Sequence, residues 1–91
     1  MYLEIVTPEA VLFKGEVTSV AVPGINGEFQ MLNNHAPIVS LLGEGTVKIQ
    51  GDITLDEEIA EKFTQNGKET ILAINSGTIE MKDNKVIVLA D

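Results

Sequence analysis

Any chemistry on this chain would be built around one imidazole, because His35 is the only histidine among 91 residues and there is no cysteine. A serine nucleophile would need His35 as its base with a carboxylate behind it, yet Ser19, Ser40 and Ser76 stand in no G-x-S-x-G context. Fourteen acidic residues offer carboxylate pairs for glycoside chemistry, but one tyrosine, three phenylalanines and no tryptophan leave little to stack a sugar ring on. Metal binding would lack both H-x-x-x-H spacing and an acidic calcium loop. Gly24-Ile25-Asn26-Gly27 has neither the lysine nor the spacing of a phosphate loop, so both glycines read as turn residues. The sequence therefore predicts no catalytic, cofactor-binding or metal-binding residue.

What remains is a dense run from Val22 to Leu42, VPGINGEFQMLNNHAPIVSLL, holding a glycine-framed turn, Glu28, His35 and Pro37. Glu28 reads either as a solvated strand acid or as a contact for a partner. His35 reads either as a loop residue bonded to nearby backbone or as a contact. Phe29 and Met31 alternate with Glu28 and Gln30, which predicts that the apolar pair fills a core.

The elements that must position these residues are strands. Leu3 and Ile5 alternate with Tyr2, Glu4 and Val6; Val17, Ser19 and Ala21 with Thr18, Val20 and Val22; Val47 and Ile49 with Thr46, Lys48 and Gln50. Near the end, Ile79 and Met81 alternate with Glu80 and Lys82, and Val86, Val88 and Ala90 with Ile87 and Leu89. Thr7-Pro8-Glu9, Lys14-Gly15, Pro23-Gly24, Asn26-Gly27, Gly43-Glu44-Gly45, Gln50-Gly51-Asp52, Asn66-Gly67, Ser76-Gly77 and Asp83-Asn84 punctuate the chain at short intervals. Short strands with frequent turns predict an all-β fold over residues 1–91, a sandwich or barrel and not a parallel sheet, with an antiparallel β-sandwich of about ten strands as the expectation. Leu55 to Gly67 is the exception. Asp56 as N-cap, Glu57 and Glu58 in a first turn, and Ile59 four residues before Phe63 predict a short helix of about two turns over 56–66, with a long polar hairpin tip as the rival reading.

Composition narrows the function classes. Six basic against fourteen acidic residues give a net charge of −8, which repels phosphate backbones and anionic head groups, so neither nucleic acid binding nor direct lipid insertion is expected. The 44% hydrophobic and 22% charged content is that of a folded domain. No apolar run approaches the roughly 20 residues a membrane helix needs.

The ordered set Pro23, Gly24, Gly27, Glu28, Phe29, Leu32, His35, Ala36 and Pro37 resembles the signature segment of the ATP synthase epsilon subunit family; Gln30 and Asn33 depart from it, standing where the family has glycine and proline. Leu3 to Gly24 resembles that family's first strands and Gly77 to Asp91 its last hairpin, with poor resemblance between Gly51 and Glu69. The resemblance implies a non-catalytic rotor subunit that links the gamma subunit to the membrane c-ring, peripheral on the cytoplasmic face of the inner (plasma) membrane, and monomeric when isolated. It implies partner contacts at Glu28, Asn34, His35 and Ser40. The family's sandwich ends near Asp91, so the expectation is a chain without the carboxyl-terminal helical hairpin, the part that holds nucleotide in some members and restrains hydrolysis. The alternative, a small β-sandwich ligand-binding module, wants an aromatic platform that this sequence lacks.

Overall fold

A computed structural model describes residues 1–91, which form ten strands and one helical turn. The strands are β1 (Tyr2–Val6), β2 (Val11–Glu16), β3 (Ser19–Gly24), β4 (Gly27–Leu32), β5 (Ile38–Leu42), β6 (Gly45–Gln50), β7 (Phe63–Asn66), β8 (Glu69–Ile74), β9 (Gly77–Lys82) and β10 (Lys85–Ala90). They are hydrogen-bonded in the order β2-β1-β10-β9-β5-β3-β6-β8-β7, with β4 on β3. The path divides into two five-stranded halves, because β5 and β3 share one ladder pair, Gly24 with Leu42. One half is β2-β1-β10-β9-β5 and the other is β4-β3-β6-β8-β7. Every pairing is antiparallel except β1 with β10, where Tyr2 to Val6 run alongside Lys85 to Leu89 in the same direction. Strands at opposite ends of the sequence have the whole intervening chain as their crossover, which parallel pairing requires.

A single core of 20 buried apolar residues lies between the halves. Leu3, Ile5, Ile79, Met81, Val86 and Val88 enter it from one half and Val20, Val22, Met31, Val47 and Ile49 from the other. These are the alternate positions of the strands, so period-two patterning decides which residues are covered. Met31 is fully buried and Phe29 packs partly buried against the core, as the alternation predicts. Asp83 and Asn84 both take positive φ, 52° and 60°, the backbone of a two-residue type I′ hairpin between β9 and β10. Thr7 Oγ1 accepts the amides of Glu9 and Ala10 and closes the first turn.

Two of the expected breaks are instead inside strands: Lys14-Gly15 belongs to β2 and Pro23-Gly24 to β3. Gly24 closes the β3–β4 hairpin opposite Gly27 and has no room for a side chain, since a Cβ there would meet the Gly27 carbonyl and the Phe29 ring at 2.8 Å. The helix expected over 56–66 is present but shorter, α1 (Glu57–Ala60), a single turn whose Asp56 caps through its backbone carbonyl and not its side chain. Phe63, expected on the same helix face as Ile59, instead starts β7 and is buried. A helical turn fixes several dihedrals for one hydrogen bond, while Phe63 to Asn66 gain a full ladder on β8. Ile53, Leu55 and Ile59 pack partly buried on the core, so the insert lies on its own sandwich.

Candidate functional site

Register fixes what the outer face of the β2-β1-β10-β9-β5 half presents. Val6 pairs with Leu89, Leu89 with Thr78, and Thr78 with Leu41, so these four form one row across the sheet. Two residues along lies a second row, Glu4, Ile87, Glu80 and Val39, and beyond it Tyr2, Lys85 and Lys82. The face is thus graded from apolar through acidic to basic. Glu4 holds Lys85 at 3.6 Å, and the same ammonium lies 5.6 Å from the centre of the Tyr2 ring.

Leu41 and Leu89 are 59% and 50% exposed, Val39 on the same face is 74% exposed, and Ile25 in the β3–β4 turn is 62% exposed. Single exposed apolar side chains are ordinary, but Leu41, Leu89 and Ile25 edge one open hollow of about 670 Å³ whose lining also includes Pro8 and Ala90. A second hollow of about 500 Å³, at the β6–β8 end, is polar, with Thr18, Asp52, Gln65, Lys68 and Thr70 in its wall. Its hydroxyls already have partners: Thr18 Oγ1 donates to the Gln50 carbonyl and Gln65 Nε2 donates to Thr70 Oγ1. No buried side-chain polar atom in the molecule lacks a hydrogen bond. The apolar hollow and its row are therefore the surface with most to gain from being covered.

Beside that hollow, the Asp91 carboxylate accepts the amides of Ser76 at 3.2 Å and Asn75 at 3.3 Å. These hydrogen bonds, that from Ser76 foremost, hold its pKa below the ordinary carboxylate value.

The four residues singled out in the sequence do not converge. Glu28 stands exposed near the start of β4 and pairs with Lys48 at 3.1 Å across the intervening β3. Asn34 and His35 lie beyond the other end of β4, so at about 3.4 Å of rise per residue the strand's length separates them from Glu28. His35 Nδ1 donates to the carbonyl of Ala36 at 2.8 Å, and its own amide donates to Leu32, leaving Nε2 free toward solvent. Asn34 has φ 61°, and its amide donates to Asn84 Oδ1 at 2.7 Å. Asn84 Nδ2 in turn donates to Asn33 Oδ1, which also accepts the Met1 amino group at 2.9 Å. This asparagine network ties the β4–β5 loop to the β9–β10 hairpin. Ser40 shares the inward side of β5 with Ile38 and Leu42 and is half-buried; the outward side belongs to Val39 and Leu41.

The row of exposed apolar residues was not singled out in the sequence. The available signal was β10, where Ile87 and Leu89 are apolar opposite an already apolar Val86, Val88 and Ala90; a strand apolar on both faces has both faces covered.

The β-sandwich domain family of the ATP synthase delta/epsilon chain matches residues 1–91. The epsilon chain of ATP synthase from Campylobacter curvus is 38% identical over 91 residues, all of this chain and 60% of that one. The corresponding protein of Desulforamulus reducens is 38% identical over 89 residues, 98% of this chain and 57% of that one. The chain thus spans less than two thirds of the length of these relatives. Two solved assemblies share the fold. A chain in the central stalk and c-ring structure of Tetrahymena thermophila mitochondrial ATP synthase superposes with TM-score 0.74 at 11% identity, over 98% of this chain and 61% of that one. A chain of the Euglena gracilis mitochondrial ATP synthase gives 0.75 at 19%, over 97% and 48%.

Proposed function

The chain belongs to the delta/epsilon β-sandwich family of ATP synthase, and from that premise we propose that it is a non-catalytic rotor domain, a single sandwich over residues 1–91 that joins the gamma subunit to the membrane c-ring. The observation that carries this reading is the exposed apolar set Leu89, Leu41 and Ile25, which with the half-buried Val6 and Thr78 surrounds one open hollow on a sandwich whose interior is otherwise closed. A part that transmits torque must deform little, and a close-packed core between two five-stranded halves meets that requirement. The row supplies the attachment to gamma. Glu28 with Lys48 at one end, and Asn34 with His35 at the other, supply polar rims far enough apart to meet two partners separately. Ser40, half-buried under Val39 and Leu41, supports the docking strand from beneath. Bond chemistry takes place elsewhere in the assembly, and the chain acts peripherally on the cytoplasmic face of the inner (plasma) membrane, as a monomer when isolated.

The test is binding of purified gamma subunit to the chain and to Leu41→Asp and Leu89→Asp variants, with circular dichroism as the folding control. Loss of one buried leucine from an interface costs about 2 kcal/mol, about a thirtyfold weakening, and the added carboxylate weakens it further. Unchanged gamma binding by both folded variants would overturn the assignment of this face. Failure of the unsubstituted chain to bind gamma or the c-ring would overturn the rotor reading itself.

A further inference from the structure

The chain contains two Asn-Gly steps, Asn26-Gly27 and Asn66-Gly67, both exposed. The fold treats them differently. Gly27 is a strand residue paired with Gly24 as the closing pair of a two-residue hairpin, a position whose amide serves the ladder. Gly67 lies outside β7 and β8, as the first central residue of the turn between them, with φ 64°. Its amide takes part in none of the turn and loop hydrogen bonds. A Cβ built at either glycine would meet nothing within 4 Å, so what separates the two is the hydrogen bonding of their amides. The Asn66 side chain makes no hydrogen bond either, and β7 is an edge strand with one side unpaired.

We propose that Asn66 is a site of spontaneous deamidation in the folded protein and that the fold spares Asn26. The Gly67 nitrogen, losing its proton to solvent base, attacks the Asn66 side-chain carbonyl carbon; the new C–N bond forms, the bond to the side-chain nitrogen breaks, and ammonia leaves. Water then opens the succinimide at either carbonyl, giving aspartate or isoaspartate. The net change is one water consumed and one ammonia released, with no oxidant. The consequence is local, because Asn66 pairs directly with Glu69 across the hairpin. The new carboxylate stands opposite an existing one, an unfavourable cross-strand arrangement, and the isoaspartyl form also lengthens the backbone inside the ladder. Both effects loosen β7, which delivers Phe63 to the core.

The experiment ages the full chain in warm, mildly alkaline buffer and follows tryptic peptides by mass spectrometry, since Lys62 and Lys68 release Phe63–Lys68 as one peptide. The expected result is a progressive shift of that peptide by the mass difference between an amide and an acid, split into two chromatographic forms, while fragment ions show Asn26 intact. In denaturant both sites are expected to convert alike. The aged protein is expected to unfold at lower urea than fresh protein, with the Asn66→Gln variant holding its midpoint. Conversion of Asn26 in the folded protein as fast as Asn66, or an unchanged Asn66 in folded protein that converts only in denaturant, would overturn the proposal.

Discussion

Gly24 pairs with Leu42, and that one ladder pair is the hydrogen-bonded seam through which two five-stranded halves become a continuous sheet. Leu42 also pairs with Gly77 on its other side, and Gly77 with Ala90, so the seam row runs Gly24, Leu42, Gly77, Ala90. The glycines are not interchangeable with alanine. A Cβ at Gly77 would run into the Leu89 carbonyl oxygen, a backbone atom, whereas at Gly24 the conflict is partly with the Phe29 ring, which can turn.

Gly77→Ala is therefore expected to destabilise by about 3 kcal/mol and Gly24→Ala by less, about 1 to 2 kcal/mol, in the range of overpacking penalties. Urea unfolding of the two variants measures the order. Equal midpoints would mean that the β9–β10 ladder shifts to accommodate the methyl group.

The Glu28–Lys48 pair spans β3 with its two side chains half and one-third exposed, so it contributes little to the isolated fold. Glu28→Ala is expected to change stability by less than about 1 kcal/mol and to lose even that in high salt. A marked weakening of c-ring or gamma attachment by the same substitution would then report a contact and not a folding defect.

How far the fold was legible follows from what each strand had to face. Leu3 and Ile5, Val47 and Ile49, and Val86, Val88 and Ala90 alternate because one side of each strand is core, and a period of two needs no partner to be seen. The segment after Asp56 was harder, because Ile59 and Phe63 are spaced for one helix face yet reach the core by different routes, one from a helical turn and one from an edge strand. The exposed apolar row lay beyond sequence reasoning, because Val6 meets Leu89 only through the parallel register of β1 on β10, and Leu89 is aligned with Leu41 only through the antiparallel registers of β9 with β10 and β5. The polar candidates were visible as residue types, but their separation to opposite ends of β4 is a property of the extended strand.

Because Phe63 is buried and Ile59 only partly so, Phe63→Ala is expected to cost about 3 kcal/mol and Ile59→Ala about 1 kcal/mol. Thermal unfolding of both variants tests whether β7 or α1 anchors the insert. A larger loss at Ile59 would mean that the helical turn, and not the edge strand, fixes the segment on the sandwich.

Asp91 supplies a pH dependence whose sign is fixed. Its carboxylate accepts the Ser76 and Asn75 amides, which favours the charged form and lowers the folded pKa below the value in the unfolded chain. The unfolded state then binds more protons, so the contribution is fully present above the ordinary carboxylate pKa and is lost as pH falls through the depressed folded value. The group is solvent-exposed, so the effect is small. Comparing urea midpoints of the chain and of Asp91→Asn across the acid range isolates it, because the asparagine keeps an acceptor oxygen without the charge. The two are expected to differ at neutral pH and to converge in acid. A difference that persists unchanged below the carboxylate range would show that Asp91 secures the β8–β9 turn by shape alone, and that its charge contributes nothing to holding Ser76 beside the seam.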